Sequence, residues 1–478
     1  MDTASGQFIL FGLTVAILSN FSESPIWRSS VLSLASVVFL GLLAPHSIAL
    51  VPLIGFLLLG YAALTLQRPG RTKLMAASIS IFVLAYVWLK KYTFLPESVF
   101  LHFSYFTLGL SYIFFRVLHV LIDAGDDEGN RRIGLSRFLL YTLNFTTFIS
   151  GPIQRYDEFA QDQFTPQPVP LGPCVVGLQL ERIVRGLFKA SVLAIFFNML
   201  GVDALAELSQ PVSVQLKMFA AVRLSIAYPF FLYSNFSGYI DVVIALARLM
   251  RLRLPENFDR PFSASSFIDF WNRWHITLST WLKSYVYNPL SLALVRRVAS
   301  RAAQQFAAVF SIFVTFFLIG VWHGRTSAFI CFGVLQGGGV AINKLWQLAL
   351  SGAFGRARYK ILAANPVYIA FSRGLTFSWF SFTLLWFWSG WNQIGVIYRT
   401  LTMAEWTGVW LTIWLGATVV LALWEVLRTA LLSISTPEGP VVASRYARVF
   451  YAAALGLATF VVRVLLTQPA PDIIYKAF

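Results

Sequence analysis

Residues 302–324 read AAQQFAAVFSIFVTFFLIGVWHG, with no Asp, Glu, Lys or Arg. A helix needs about 20 apolar residues to cross a bilayer, so this run is long enough for one crossing. Pro45 and His46 split a second charge-free run into two predicted spans. The pattern predicts an all-α polytopic membrane protein with about eleven transmembrane helices. The runs that share this freedom from charge are residues 3–22, 29–67, 302–324, 374–398 and 406–424.

The composition excludes an ordinary soluble protein. Of the 478 residues, 57% are hydrophobic and 12% charged, whereas soluble domains carry about 25% charged residues. The net charge of +16 would favour a nucleic-acid partner in a soluble protein. Here, however, the basic residues lie in short loops such as residues 68–73 and 356–360, where they anchor against anionic lipid headgroups. We therefore expect contact with membrane lipid and no nucleic-acid partner.

The basic loops also predict an orientation. If they are cytoplasmic, counting spans back from Lys73 places the N-terminus outside. The first run is too polar at residues 20–22 for a cleaved signal peptide, so we expect it to remain as a helix.

The cysteines and histidines predict no metal site. Cys174 and Cys331 are too few for a disulfide framework or a metal cage. His46, His102 and His119 are isolated, and no pair of histidines has the spacing of a helical zinc site.

The polar chemistry is concentrated in residues 234–326. Residues 253–262 read RLPENFDRPF, and two prolines there exclude a helix interior. Residues 267–283 read FIDFWNRWHITLSTWLK, a predicted helix that is too polar to face lipid and too aromatic for an aqueous loop. We expect it to be an interfacial or re-entrant helix buried in protein. Residues 361–467 are again predicted to form apolar transmembrane spans.

Three other polar segments interrupt the apolar chain. Residues 126–130 read DDEGN and predict a solvated loop, and residues 156–175 are rich in Pro, Gln and Asp and predict a surface loop. Arg182, Arg185 and Lys189 fall on one face of the next helix. That face must meet headgroups or protein rather than lipid tails.

His323 is the strongest catalytic candidate. It ends a charge-free run, and Gly320 and Gly324 on either side permit close approach of another backbone or a ligand. A histidine at that depth is costly without a partner or a cavity. The ordinary histidine pKa of about 6.5 suits a general base at neutral pH. The alternative is an interfacial Trp322–His323 pair that anchors a helix end.

His275 also has two interpretations. It is either a second polar group of the same site or part of an aromatic belt over residues 271–281, from which Arg273 and Lys283 reach the headgroups. Asp269 precedes His275 by six residues, a spacing that does not bring two side chains of one helix into contact. A direct Asp–His pair would need a break in the helix, which we do not expect.

Four motifs occur in order along the chain: FSGYID at 236–241, RLPENF at 253–258, DFWNRWHITLS at 269–279 and GVWHG at 320–324. Two shorter matches, SGPI at 150–153 and GLFK at 186–189, support them. Together they resemble the membrane-bound O-acyltransferase (MBOAT) family. The similarity is to the bacterial branch that includes alginate O-acetylases and the D-alanyl transfer protein of teichoic acid synthesis. The resemblance covers residues 75–345.

This resemblance implies helices around a central tunnel, with His323 as the catalytic residue at its narrow point and His275 as the second family histidine. Family members move an acyl group from a thioester donor to a hydroxyl acceptor. We therefore expect an O-acyltransferase of the bacterial cytoplasmic (inner) membrane that moves an acyl group, expected to be acetyl, to a cell-envelope polysaccharide or related polymer. The expected donor substrate is a thioester of coenzyme A or of a carrier protein, with no tightly bound cofactor. A separate extracytoplasmic protein, resembling an acyltransferase or esterase, is the expected partner.

The family implies three segments: N-terminal transmembrane helices (residues 1–95), a catalytic core (96–350) and C-terminal transmembrane helices (351–478). Asp241 and Asn257 are expected to hold the tunnel by hydrogen bonds. The basic residues of the core are candidates for binding donor phosphates, with headgroup anchoring as the alternative. The residues expected at the substrate are Trp322, Trp274, Trp271, Asn257, Asp269 and the basic residues Arg260, Arg273 and Lys283.

The sequence departs from the family pattern at two places. Gln336 and Gly337 stand where many relatives carry a third His-Gly pair, and Arg325 follows the histidine motif where small residues are common. Both departures concern substrate identity more than reaction class. Two other functions stay open. A transporter of a polar lipid or saccharide would have paired broken helices in its two halves, and a non-catalytic scaffold for envelope enzymes would not need His323.

Overall fold

The computed structural model describes residues 5–44, 46–67, 70–126, 133–436 and 439–465. Almost all regular structure in these residues is α-helical, which confirms the all-α prediction. Only the pairs Ser435–Thr436 and Gly439–Pro440 form a short antiparallel ladder within the described part.

The helices are numbered in chain order. Their bounds are α1 Gly6–Ser19, α2 Pro25–Leu43, α3 Val51–Leu66, α4 Thr72–Leu89, α5 Leu110–Asp126, α6 Leu135–Thr142, α7 Tyr156–Gln163, α8 Pro173–Phe188, α9 Ala194–Leu208, α10 Val214–Leu249, α11 Phe267–Trp271, α12 Ile276–Leu282, α13 Asn288–Val295, α14 Arg301–His323, α15 Ser327–Ala364, α16 Pro366–Thr383, α17 Leu385–Trp388, α18 Trp391–Arg399, α19 Met403–Ser433 and α20 Arg445–Leu465.

Nine helical stretches in the described residues are long and apolar enough to cross a membrane. The apolar helix α1 is shorter, with 14 residues. These findings confirm a polytopic membrane protein. The predicted surface loop at residues 156–175 holds the eight-residue helix α7, and its last three residues begin α8. Of the predicted solvated loop at 126–130, residues 127–130 lie outside the described residues.

Two predicted helices are broken. The charge-free run 374–398 is not one span, because the chain is extended at Ser389 and Gly390 between α17 and α18. The predicted helix 267–283 is interrupted between α11 and α12, where His275 adopts a left-handed backbone. In each case a residue with non-helical dihedral angles interrupts the i to i−4 hydrogen bonds.

Local capping chemistry explains several helix starts. The Ser300 side chain accepts from the Ala303 N–H at the start of α14. Asn365 accepts from two backbone N–H groups at the start of α16, where proline occupies the first position. Thr402 and Glu405 form a reciprocal capping box at α19. Such caps satisfy donors that the first helical turn leaves unpaired, and each contributes about 1 kcal/mol.

The described residues divide into two compact units. The first contains residues up to 187 and 236–256, and the second contains 188–235 and 257 onward. This division follows the spatial packing, and the three-segment division made from the sequence stays a prediction.

In the first unit, ion pairs connect α8 with α10 and with the segment that follows α10. Arg182 on α8 donates to Asp241 on α10 at 2.9 Å and to Glu256 at 2.6 Å. Arg185 lies 3.6 Å from the same Asp241 carboxylate. The face that carries these arginines therefore meets protein, one of the two predicted environments. Gly186 brings α8 close to α10, because a Cβ atom at this position would sit 2.6 Å from the Gly238 carbonyl oxygen.

In the second unit, α14 and α15 form a tightly packed antiparallel pair. A Cβ on Gly320 would lie 2.2 Å from the Gly333 Cα, and one on Gly337 would lie 2.7 Å from the Phe313 carbonyl oxygen. Only glycine permits this approach of two backbones. The contact fixes the position of the C-terminal end of α14 against α15.

Candidate active site

His323 is the last residue of α14 and is buried, with 2% of its surface exposed. Its ring lies among three aromatic rings, at centroid distances of 4.7 Å from Trp322, 4.9 Å from Phe387 and 6.1 Å from Phe332. An anchoring Trp–His pair at the headgroups would leave the imidazole exposed. The burial therefore supports the functional interpretation of His323.

The two glycines beside His323 serve close packing. Gly320 meets the backbone of Gly333, as described above. A Cβ on Gly324 would lie 2.0 Å from the Phe329 ring. Gly320 therefore permits the backbone approach predicted from the sequence, whereas Gly324 makes room for an aromatic ring.

His275 lies on the break between α11 and α12 and is 1% exposed. Its backbone is left-handed, with φ 46° and ψ 52°. The adjacent Ile276 N–H donates to the Asn257 carbonyl oxygen at 3.0 Å, and Phe258 pairs with Trp274 as an isolated antiparallel bridge. Pairing with residues 257–258 thus holds His275 in an unusual backbone conformation.

The structure brings both histidines to Trp322. The His275 ring lies 6.4 Å from the Trp322 ring, and the His323 ring lies 4.7 Å from it. Since residues 275 and 323 are distant in sequence, the packing of the helices creates this arrangement. As a result, the two imidazole rings lie beside the same indole ring, that of Trp322, within the second unit.

Asn257 supports the same segment through its side chain. It is fully buried, and its Oδ1 accepts from the Thr277 N–H at 3.0 Å and from the Thr277 hydroxyl at 2.8 Å. These hydrogen bonds match the predicted holding role of Asn257. Asp241, the other residue predicted to hold structure by hydrogen bonds, accepts from Arg182 in the first unit.

Burial lowers the pKa of His275 well below the ordinary 6.5. Residue 275 lies outside the nine candidate spans. Desolvation disfavours the charged imidazolium, so the ring is neutral at neutral pH. A neutral imidazole has one N–H donor and one acceptor nitrogen and can hydrogen-bond to a substrate in either sense.

The tryptophans of this segment are buried. Trp271 packs against Phe316 of α14 at a centroid distance of 5.2 Å, and Trp274 packs against Phe380 of α16 at 5.0 Å. Trp281 is also buried. An aromatic belt at the membrane surface would leave these rings exposed, so the geometry favours a segment buried in protein.

The charged residues of the segment form a partly exposed cluster. Asp269 accepts from Arg273 at 2.9 Å, four residues further along. The break in the helix between Asp269 and His275, which was not expected from the sequence, is present. Arg260 is half-exposed and adopts a left-handed backbone, and Lys283 is exposed at the start of a π-helical turn.

Three charged residues that no sequence motif singled out extend this cluster. Arg373 on α16 donates to the Ser263 carbonyl oxygen at 3.2 Å. Glu425 on α19 contacts the Ser263 hydroxyl at 3.5 Å and pairs with Arg428 at 2.7 Å. A charge in an otherwise apolar helix was the available signal.

Two phenylalanines that contact His323 were also not predicted from the sequence, and Gln336 stood out there only as a departure from the family pattern. Phe332 and Phe387 lie 5.2 Å apart and flank the imidazole. Gln336 is fully buried and donates to Thr383 at 2.8 Å. Phenylalanines are common throughout this chain, so no sequence signal distinguishes these two.

Comparison with known proteins agrees with the motif order. The model of the membrane-bound O-acyltransferase family matches residues 72–386. A teichoic acid D-alanyltransferase of Streptococcus thermophilus is 32% identical over 246 residues, which cover 50% of this chain and 57% of the relative. A probable alginate O-acetylase of Pseudomonas syringae is 32% identical over 241 residues, covering 50% of this chain and 42% of the relative.

A peptidoglycan O-acetyltransferase of Helicobacter pylori is 32% identical over 221 residues, covering 45% of this chain and 39% of the relative. The chain thus spans about half the length of the curated relatives it matches. The family match spans both histidines and all four motifs that carried the resemblance. This chain belongs to the membrane-bound O-acyltransferase family.

Proposed function

We propose that the protein is an O-acyltransferase that moves an acyl group, most simply acetyl, from a thioester to a hydroxyl of a cell-envelope polymer. One observation carries the proposal. His323, buried at the end of a charge-free helix, and the buried His275 both lie beside the Trp322 ring. Family membership supports the reaction class. The names of the relatives, which refer to teichoic acid, alginate and peptidoglycan, support the acceptor class.

In this proposal His323 is the general base. It takes the proton of the acceptor hydroxyl as that oxygen attacks the thioester carbonyl carbon. The tetrahedral intermediate then collapses, the C–S bond breaks, and the protonated imidazole returns its proton to the leaving thiolate. General acid–base catalysis of this kind contributes a factor of about 10² to 10⁴ in rate.

His275 would stabilise the oxyanion that forms on the former carbonyl. Because its ring is neutral, it can donate one N–H to that oxygen without a competing charge. Trp271 and Trp274 exclude water around it and strengthen the hydrogen bond. Holding both substrates together in one buried site lowers the activation free energy further, by up to about 7–11 kcal/mol in ideal cases.

The donor would be a thioester of coenzyme A or of a carrier protein, bound as a substrate. Arg260 is the first candidate for its phosphates, because its side chain is half-exposed and its 3.4 Å contact with Asp259 is longer than the 2.9 Å pair of Arg273 with Asp269. Lys283 is exposed and is a second candidate. Anchoring to lipid headgroups is the competing role for these side chains.

The location and partner follow from the chemistry. Thioester donors are cytoplasmic and envelope polymers lie outside, so we place the protein in the bacterial inner membrane. A separate extracytoplasmic protein, resembling an acyltransferase or esterase, would complete transfer to the polymer.

Two measurements test the proposal. Mass spectrometry of envelope polymers from cells with and without the protein should show an acyl ester that depends on it. Purified His323→Ala should retain its unfolding temperature and lose acyl transfer by a factor of about 10² or more. His102→Ala, which changes an exposed histidine, is the matched control. Unimpaired transfer by His323→Ala would favour a scaffold or transport function instead.

A further inference from the structure

Four arginines of the first unit lie where α1 and α10 end and α2 begins. Arg28 is in the first turn of α2, Arg248 is in the last turn of α10, and Arg251 and Arg253 directly follow α10. Asn20, the residue after α1, accepts from the Nε of Arg251 at 2.7 Å. The termini of three helices therefore meet around these side chains.

Asp162, near the end of α7, connects Arg28 with Arg253. Its carbonyl oxygen accepts from Arg28 at 3.0 Å, and its carboxylate accepts from the Arg253 side chain at 2.9 Å. Electrostatic interactions couple Arg28 with Arg251, and they couple Arg248 with both Arg251 and Arg253. The four guanidinium groups thus form one cluster, called the arginine cluster below.

The arginine cluster carries more positive than negative charge. Its four arginines face two carboxylates, Asp162 and Glu23, so four minus two leaves an excess of two positive charges. Glu23 lies 3.3 Å from Arg251 and is 70% exposed, which makes it a weak partner. Arg28 and Arg248 donate to backbone carbonyl oxygens and have no ion pair among the residues that the structure describes. A carbonyl oxygen satisfies a hydrogen bond without neutralising the charge.

The arginine cluster keeps donors for an anion. The side chain of Arg253 is 63% exposed, and its Nε and Nη2 bind Asp162. Arg251 uses its Nε for Asn20 and its Nη1 for Glu23. The third guanidinium nitrogen of each arginine makes no hydrogen bond within the described part of the chain. Guanidinium groups suit the oxygens of a phosphate, to which they donate charge-assisted hydrogen bonds.

The surface beside the arginine cluster is apolar. The turn between α1 and α2 and the start of α2 expose Phe21, Ile26 and Trp27. Helix α2 is a candidate membrane span, so its first turn lies at a membrane boundary, where tryptophan is common. A soluble anion would gain little from these side chains, whereas a lipid would cover them with its acyl chains.

We propose that the arginine cluster binds the phosphate of an anionic phospholipid whose acyl chains pack on Phe21, Ile26 and Trp27. Basic pockets between transmembrane helices bind anionic headgroups through the same attraction. The site differs from the basic loops at 68–73 and 356–360, because residues of four separate helices and the turns beside them build it. It lies in the first unit and is independent of the proposed acyl transfer. A lipid that binds only the folded protein stabilises it, so the unfolding temperature should depend on the lipid supplied.

Two lipids with identical chains test the site. Dioleoylphosphatidylglycerol has a net negative charge, whereas dioleoylphosphatidylcholine is zwitterionic. Each is titrated into the purified full-length protein in detergent, with native mass spectrometry to count bound lipids and the unfolding temperature to measure affinity. We expect phosphatidylglycerol to bind at least about tenfold more tightly, because two excess positive charges attract it. Inorganic phosphate, the third ligand, should not raise the unfolding temperature at the concentrations at which phosphatidylglycerol does.

Variants that change the charge of the cluster should change the affinity in opposite directions. Arg251→Gln removes one positive charge and should weaken phosphatidylglycerol binding about fivefold. Glu23→Gln removes a competing carboxylate at an exposed position and should strengthen binding about fivefold. Arg71→Gln is the matched control, because it removes an exposed arginine at the start of another membrane helix and should leave the affinity unchanged.

Equal affinity for the two lipids would overturn the proposal. Equal stabilisation by inorganic phosphate and phosphatidylglycerol would also overturn it, since the site would then bind a soluble anion. An equal loss of binding in Arg251→Gln and Arg71→Gln would show only a general attraction of headgroups and would contradict a specific site. If Arg251→Gln does not fold, Glu23→Gln decides: tighter binding supports the site, and unchanged binding overturns it.

Discussion

The first unit neutralises buried charges with hydrogen-bonded partners, whereas the second unit buries neutral polar groups among aromatic rings near His323. Asp162 in the first unit is buried and accepts from the Arg253 backbone N–H at 2.8 Å and side chain at 2.9 Å. In the second unit, His275 and His323 lie beside Trp322. A paired charge is held in place by its partner, whereas these two rings are held by packing against aromatic neighbours. The comparison separates charges that hold the protein together from the neutral groups to which the proposed function assigns chemistry.

The largest effect on stability should come from removing a buried carboxylate. Asp162→Ala leaves the Arg253 backbone N–H without its acceptor and removes the charge-assisted hydrogen bond to the Arg253 side chain, which is itself 63% exposed. It should lower the free energy of unfolding by about 2–4 kcal/mol. Thermal unfolding of detergent-solubilised protein measures the change, and Asp157→Ala, at an exposed aspartate nearby, is the control. If both variants unfold at one temperature, the holding role assigned to Asp162 is wrong.

A smaller loss is expected from the glycine contact below His323. Gly320→Ala places a methyl group 2.2 Å from the Gly333 Cα, and relieving this overlap should cost about 1–3 kcal/mol. Gly338→Ala on α15 meets nothing within 4 Å and is the control. We expect only Gly320→Ala to lower both unfolding temperature and acyl transfer. Normal behaviour of that variant would show that α14 and α15 can move apart freely.

Asn257→Ala should have a moderate effect that appears mainly in catalysis. It removes two hydrogen bonds to Thr277, worth about 2 kcal/mol together, and releases the segment that fixes His275. Transfer rates and unfolding temperatures are compared with those of Thr277→Val, which loses only the hydroxyl bond and should show about half the destabilisation. Equal effects of the two variants would contradict this account.

The smallest predicted effect is a pH dependence of stability from His275. Burial lowers its pKa in the folded protein, whereas in the unfolded chain the ring protonates below about pH 6.5. The unfolded state then binds more protons, so stability is complete above pH 6.5 and falls as the pH decreases. At pH 5.5 the loss should be about 1 kcal/mol. Unfolding temperatures at pH 7.5 and 5.5, for the unaltered protein and His275→Asn, isolate this contribution. An identical pH dependence in both proteins would exclude it.

Much of the fold could be predicted because lipid imposes a simple rule on sequence. A charge-free run such as residues 302–324 must form a helix in a bilayer, and the structure has α14 there. The same rule failed for residues 374–398, because hydropathy does not register a backbone break at Ser389 and Gly390.

The candidate residues could be chosen from the sequence, whereas their arrangement in space could not. His323, His275 and the tryptophans stand out by type and position, and the structure gathers them in one unit. The left-handed conformation of His275 is imposed by pairing with residues 257–258, a contact distant from residue 275 in sequence. The same holds for Phe332, Phe387 and Gln336, which come to the site only through helix packing.

The left-handed backbone at residue 275 makes the choice of replacement informative in itself. Glycine adopts this conformation freely and asparagine tolerates it, whereas a β-branched residue would be strained by about 1–3 kcal/mol. Loss of the imidazole and distortion of the backbone can therefore be measured separately at this one position. His275→Gly reports the loss of the imidazole. The difference between His275→Gly and His275→Val reports the backbone distortion. Few buried histidines allow chemistry and conformation to be varied independently in this way.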